Sequence, residues 1–267
     1  MNNIHDNIIK YVLIRKTITT MENVKMADYI KLQKGGSKNL EVNYEDKNYK
    51  FIKNELDKNM YFLYAIDTDK SCVIIEVNKK KNIANIQKID GTNKQCIKNG
   101  TRVGGTLLKL TLKLLIDYKI KLAVNVITLT DDSMKFCPAN NKMIDMKIMQ
   151  VLRTGDTWYG KYNFRPIESD NNMNITIHKY NNKLYEYNKN IMNTVTISSV
   201  NLLNFFNTLS LNPEILYPIT QIINKKPNML VKDFINKFFI HFYEFYQPLY
   251  DYLGLKKLSS NFYGLFI

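Results

Sequence analysis

The sequence predicts an α/β protein in which a mixed central sheet with flanking helices is followed by a helical C-terminal appendage. Three observations lead there. Short β-branched and aromatic runs recur between turn residues from Leu40 to Ile89. A Leu-rich helical pattern over residues 103–118 is followed by the best strand pattern of the chain, Lys121 to Thr130. Beyond about residue 184 strand patterns give way to helical ones. A strand, helix, strand order in mid-chain puts the helix in a crossover between parallel strands. Its N-terminus then lies at their carboxyl ends, where such units bind ligands.

The elements follow in order. Ile8 to Arg15 is β-rich, and Met21 to Gln33 repeats Val24, Ala27 and Ile30 at helical spacing before Gly35-Gly36 stops it. Residues 37–58 are polar, with a short strand expected around Leu40-Glu41-Val42 and a helix near Lys53 to Leu56. Tyr61 to Ile66, Cys72 to Val77 and Ile83 to Ile89 then read as a meander of antiparallel strands, punctuated by Asp67 to Lys70 and Asn78 to Asn82. The helix at 103–118 offers Leu107, Leu108, Leu110, Leu114 and Leu115 for packing. Residues 134–153 read as an insertion with a helix at Met143 to Leu152, Asp156 as the cap of a short helix to Tyr162, and Ile175-Thr176-Ile177 as a closing strand. A boundary near residue 182 divides a domain at 1–182 from an appendage at 183–267. Helices are expected there at 197–209, 213–223 and 230–253, separated by Asn212-Pro213 and Lys226-Pro227. In the last, Phe234, Phe238, Phe242, Phe245, Leu249 and Leu253 form a wide apolar stripe, which either packs within its own chain or serves a homo-oligomer or protein partner.

Composition narrows the function classes. The chain of 267 residues is 45% apolar and 12% aromatic, enough to bury a core rather than stay disordered. No apolar run of 18 residues and no basic stretch before an apolar one is present, so neither a membrane partner nor secretion is expected, and the expected location is cytoplasmic. Cys72, Cys96 and Cys137 are too few and too irregularly spaced to imply a disulfide framework. With His5, His178 and His241 isolated, no zinc spacing arises either. The net charge of +14 favours acidic partners, nucleic acid among them. Joint over-use of Lys, Asn, Ile and Tyr instead reads as the compositional bias of an A+T-rich genome. Apart from Lys79-Lys80-Lys81 the lysines are spread along the chain.

Two segments carry chemistry. Asn99-Gly100-Thr101-Arg102-Val103-Gly104-Gly105-Thr106 opens the Leu-rich helix, and a Gly turn feeding a helix N-terminus converges free N–H groups and the helix dipole on one spot, an anion site. About fifty residues on, Trp158-Tyr159-Gly160-Lys161-Tyr162-Asn163-Phe164 precedes Arg165-Pro166. Together they resemble the acetyl-CoA-dependent N-acetyltransferase superfamily, GNAT. The first segment resembles its pyrophosphate loop, Q/R-x-x-G-x-G/A, with Asn99 for the first residue and Arg102 for the first glycine. The second resembles an aromatic-Tyr-x-x-aromatic-Gly-Phe pattern, with Asn163 for the glycine. Asn is the least costly substitute for Gly where φ is positive. Its wording is also similar to GNAT-like proteins of large DNA viruses of protists.

The resemblance, which covers roughly residues 8–180, implies a GNAT-like acyl-CoA N-acyltransferase fold that binds acetyl-CoA and acetylates a primary amine. It implies that Asn99, Gly100, Thr101, Arg102, Val103, Gly104, Gly105 and Thr106 cradle the pyrophosphate and that Ile89 and Ser133 contact the cofactor. Tyr159 would lie near the sulfur as general acid, a phenol donating a proton to the departing thiolate. No strand carboxylate stands out as general base; Glu76 and Asp90 are weak candidates. Asp131, Asp132 and Ser133 close the strand at its carboxyl end, where they either contact the pantetheine arm or cap a turn. Two other readings remain open: a GNAT fold that keeps binding and has lost catalysis, and a basic nucleic-acid-associated protein.

Overall fold

The computed structural model describes residues 39–54, 59–64, 70–91, 93–97, 103–137, 141–170, 174–209, 211–239, 243–258 and 261–267. The strand and helix expected before residue 37 lie outside them. The chain is α/β, with a large mixed sheet and several helices. It divides into two compact units, one holding Lys88–Leu114 and the chain up to Ile74, the other Ile75–Gln87 and Leu115–Ile267.

In the first unit β1 (Leu40–Tyr44) and β2 (Lys47–Lys53) form a hairpin in register from Leu40 opposite Phe51 to Tyr44 opposite Lys47. Its two turn residues, Glu45 and Asp46, have φ of 50° and 57°, the double left-handed turn whose twist suits a two-residue hairpin. Lys53, where the sequence predicted the start of a helix, ends a strand, while Glu55 and Leu56, the end of that helix, lie outside the described residues; buried Phe51 anchors the strand. β3 (Met60–Tyr64) pairs antiparallel with β2, and the order continues through the hairpin strands β4 (Ser71–Asn78) and β5 (Ile83–Ile89). These three strands and α1 (Val103–Asp117) match the sequence expectation, and Leu107, Leu108, Leu110 and Leu114 are all fully buried.

One expectation is overturned: Cys72 and Cys96 form a disulfide. Cys72 sits near the start of β4, whose partner strand delivers Asp90 to it, the Asp90 N–H donating to the Cys72 carbonyl at 2.8 Å. Asn93 then caps a short 3₁₀ turn, Lys94–Cys96, that carries the second thiol inward. The cysteine spacing is irregular because the hairpin, not the local sequence, brings the pair together. Disulfides persist where the surroundings are oxidising, so this bond and a cytoplasmic location pull in opposite directions.

In the second unit β5 pairs parallel with β6 (Val126–Thr130), from Ile83 opposite Val126 to Ile86 opposite Leu129, while all other registered pairs are antiparallel. The strand expected from Lys121 begins later, because α2 (Lys119–Leu122) makes one more helical turn and ends on Ala123 at φ 53°. β7 (Met134–Cys137) and β8 (Lys142–Asp145) form a separate hairpin; α3 (Met146–Thr154) starts after Asp145 caps it and stops at Gly155, φ 74°. After β9 (Arg165–Ser169) and β10 (Ile175–Ile177) come α4 (Lys179–Thr194), α5 (Leu202–Thr208) and α6 (Pro213–Lys225), the last with Pro213 at its start and Asn212 as its cap. Then follow α7 (Val231–Phe234), extended by a π turn over Ile235–Phe239, and α8 (Tyr246–Tyr252).

Residue 182 lies inside α4, and the segment after it is not purely helical. Its last strand, β11 (Phe262–Phe266), sits between β6 and β9, antiparallel to both, so that the strand order is β4-β5-β6-β11-β9-β10. Of the apolar stripe, Phe234, Leu249 and Leu253 are buried in one cluster with Met149, Leu152 and Phe206, and Phe238 and Phe245 pack against it, while Phe242 lies outside the described residues. Among the described residues no helix is long and apolar enough to cross a membrane.

Candidate functional site

The residues singled out in the sequence fall in both units. In the first unit, Asn99, Gly100, Thr101 and Arg102 lie outside the described residues. Val103 is buried, whereas Gly104, Gly105 and Thr106 are half-buried in the first turn of α1, where backbone N–H groups lack helical acceptors. Ile89 ends β5 and is half-buried. Just beyond it Gly91 packs on Gly104: a Cβ on Gly104 would stand 3.2 Å from the Gly91 Cα, and one on Gly91 3.3 Å from the Gly104 Cα. Gly104 therefore has a packing reason, the close approach of two backbones, whatever else that turn does.

In the second unit the Trp158 to Phe164 segment is a set of tight turns whose cause is local. Buried Thr157 accepts the Gly160 N–H at 2.9 Å, and a 3₁₀ turn follows over Gly160–Tyr162. Asn163 ends it at φ 66°, its N–H on the Gly160 carbonyl at 2.9 Å. The substitution of Asn for Gly thus keeps the left-handed residue the pattern needs. Asp156 is not the expected helix cap. Its carboxylate accepts the Tyr185 hydroxyl and pairs with Lys189 at 3.5 Å. Gly160 rests on that pair, with the Asp156 carboxylate and the Tyr185 hydroxyl occupying the place of a Cβ.

These turns hold Tyr159 half-buried. Its ring meets Trp158 edge-on at 4.8 Å, Phe164 at 6.1 Å and Tyr263 at 6.3 Å between centroids. Burial pushes its phenol well above the usual tyrosine range, and the charges of Asp131 and Asp132 add to the shift. Phe164 is fully buried, as expected of a core aromatic, while Trp158 stays half-buried under the Lys161 ammonium, 5.2 Å from its ring.

Asp131 and Ser133 follow β6. The Asp131 N–H donates to the Asn261 carbonyl at 2.7 Å, and its carboxylate accepts the Ser133 N–H at 3.2 Å and the Ser133 hydroxyl. Ser133 is thereby a turn-forming partner of Asp131, and its carbonyl takes the Met146 N–H at 3.1 Å. Burial raises the Asp131 carboxyl above its ordinary value, against the two Ser133 hydrogen bonds and the Lys147 charge. Lys147, itself buried, reaches Asp145 at 3.5 Å and the Asn261 side chain, whose amide donates to Asp132 at 3.1 Å.

Tyr159, Asp131 and Ser133 are thus brought to one place, together with three residues that the sequence did not flag: Lys147, Asn261 and Tyr263. Only β11 pairing, Tyr263 opposite Leu129, brings the last of them there, and no local signal announces it. Of the weak base candidates, Glu76 accepts from Gln87 across the hairpin at 2.7 Å, and Asp90, in the first unit, accepts the Asn93 N–H at 3.1 Å. Among the described residues no group of three or more His, Cys, Asp or Glu is placed to hold a metal ion. No family model, curated protein or solved structure matches the chain.

Proposed function

We propose that the chain is a GNAT-like N-acetyltransferase that transfers acetyl from acetyl-CoA to a primary amine. The observation that carries this reading is Tyr159, a phenol held in its protonated form beside the carboxyl end of β6 by turns that preserve the backbone of the aromatic segment. The parallel β5–β6 pair with α1 in its crossover supports it further. Within the first unit, the first turn of α1 carries the small, half-buried residues Gly104, Gly105 and Thr106, and the free N–H groups of a first helical turn suit an anion.

Acetyl-CoA, when bound, supplies an activated acetyl thioester. Tyr159 holds a proton for the leaving sulfur: a phenol is neutral at physiological pH, and burial and acidic neighbours raise this one further. Trp158 and Phe164 fix its ring from both sides.

Tyr159→Phe retains the ring and removes only the proton. Turnover of acetyl-CoA with an accepted amine should fall about 10²- to 10⁴-fold, the usual scale of acid–base catalysis, with cofactor affinity by calorimetry unchanged. An unchanged rate returns Tyr159 to a packing role, and acetyl-CoA binding without turnover in the wild type gives the binding-module reading instead.

A further inference from the structure

We propose that the group at the carboxyl end of β6 is a recognition site for a primary ammonium, in which Asp131 receives the cation and takes its proton. The proton transfer rests on the acetyltransferase reading; binding of the cation does not.

Asp131 is 2% exposed, and both hydrogen bonds from Ser133 fall on its Oδ1, leaving Oδ2 outside that turn. Three carboxylates, Asp131, Asp132 and Asp145, stand against one ammonium, Lys147, which faces Asp145 and Asn261. Three minus one leaves two negative charges around a group in which Asp131 and Lys147 are buried, Asp145 half-buried and Asp132 exposed, and such an excess draws in a cation.

A second, independent feature points to a ligand. The Tyr263 side chain is fully buried, and its hydroxyl has no hydrogen-bond partner. Buried hydroxyls without partners are rare and costly. β11 sets Tyr263 opposite Leu129, two residues before Asp131 and so on the same face of the strand, and the Asp131 N–H continues that pairing to the Asn261 carbonyl. The half-buried Tyr159 ring lies 6.3 Å from the Tyr263 ring between centroids. An ammonium carries three N–H donors and no acceptor. The oxygens here complement it: Asp131 Oδ2 and two neutral phenols.

Desolvation raises the Asp131 carboxyl and makes it a stronger base than an exposed aspartate, while Ser133 and Lys147 oppose the shift and Asp145 adds to it. Tyr159 and Tyr263 are both raised, so they face Asp131 uncharged. In the transfer step the acceptor R–NH₃⁺ gives one proton to Asp131, and the freed nitrogen lone pair forms the C–N bond to the acetyl carbon. The C–S pair leaves on sulfur. Tyr159 gives its proton to sulfur and takes the second proton of the nitrogen; Asp131 releases its own to solvent. The products are the acetamide, the thiol and one proton.

The test titrates the full chain with n-butylammonium chloride and with 1-butanol, following amide chemical shifts. The ammonium should shift Asp131 to Ser133 and the alcohol should not. Asp131→Asn should weaken butylammonium at least tenfold, and Tyr263→Phe, which removes only the orphan hydroxyl, should weaken it several-fold with the fold intact. A wild type indifferent to the ammonium, or two variants that bind it as tightly as wild type, overturns the site. Acetyl-CoA is then added. Butylammonium bound through Asp131 but never acetylated refutes the transferase reading and upholds the site, whereas acetylation unchanged in Asp131→Asn overturns the base. The pH dependence of melting supplies a readout apart from activity. A carboxyl raised in the folded state contributes stability that is complete below the unfolded value and lost as pH rises through the folded one; Asp131→Asn should remove that slope, and a slope equal to wild type refutes Asp131 as the buried titrating group.

Discussion

At residue 163 the backbone turns through φ 66°, a conformation that an L side chain with a Cβ adopts at a cost of about 1–2 kcal/mol, which Asn lessens by local hydrogen bonding and Gly escapes. Asn163→Ala should therefore lower stability by about 1 kcal/mol and Asn163→Gly should not, as judged from urea unfolding midpoints; equal losses in both variants refute the backbone explanation. This residue was legible, because the aromatic pattern names the position and the chemistry of Asn supplies the reason. Gly160 and Gly264 were legible only as letters. What excludes a side chain from the first is the Asp156–Tyr185 pair, and from the second Ile167, whose Cγ2 would lie 2.8 Å from a Cβ. Tyr185 and Ile167 come from distant parts of the sequence, which no local pattern records.

Elements with a strong period were readable and those decided by tertiary partners were not. Leu107 to Leu115 announces α1, and the β-branched runs announce β3, β4 and β5. By contrast Lys121-Leu122 reads as the start of a strand and folds as the end of a helical turn, and Phe262-Tyr263-Gly264-Leu265-Phe266 is short and broken by a glycine, so β11 escapes notice. The expected helix over 230–253 is interrupted, passing from α7 through a π turn before α8, where Phe234 and Phe239 both turn inward. The disulfide is likewise a product of topology, closing 24 residues of chain. Before reduction the denatured chain should show one reactive thiol, Cys137, and after reduction all three. Replacing Cys72 and Cys96 together by Ala should lower stability by about 2–4 kcal/mol; three thiols without reductant, or no change in melting, refute the bond.

For the molecule as a whole, sequence order and sheet order part company in the second unit. β1 to β6 stand side by side in the order in which they occur, but the neighbour of β6 on its far side is β11, and beyond β11 comes β9. A chain ending at Leu258 should therefore leave β6 and β9 with unpaired edges and the Asp131 N–H without the Asn261 carbonyl. Such edges promote aggregation. Light scattering should show aggregated protein, and a soluble, cooperatively melting fragment would count against a structural need for β11.

The position of β11 also sets a timetable for synthesis. Domains tend to fold as units while the chain emerges, and β6 and β9 leave the ribosome long before the strand that joins them. The second unit must wait, with these two strands apart, until β11 has been made. Synthesis halted between β10 and β11 leaves β6 and β9 without the strand that joins them. The proposed ammonium site, to which Tyr263 contributes, could arise only once that strand has emerged.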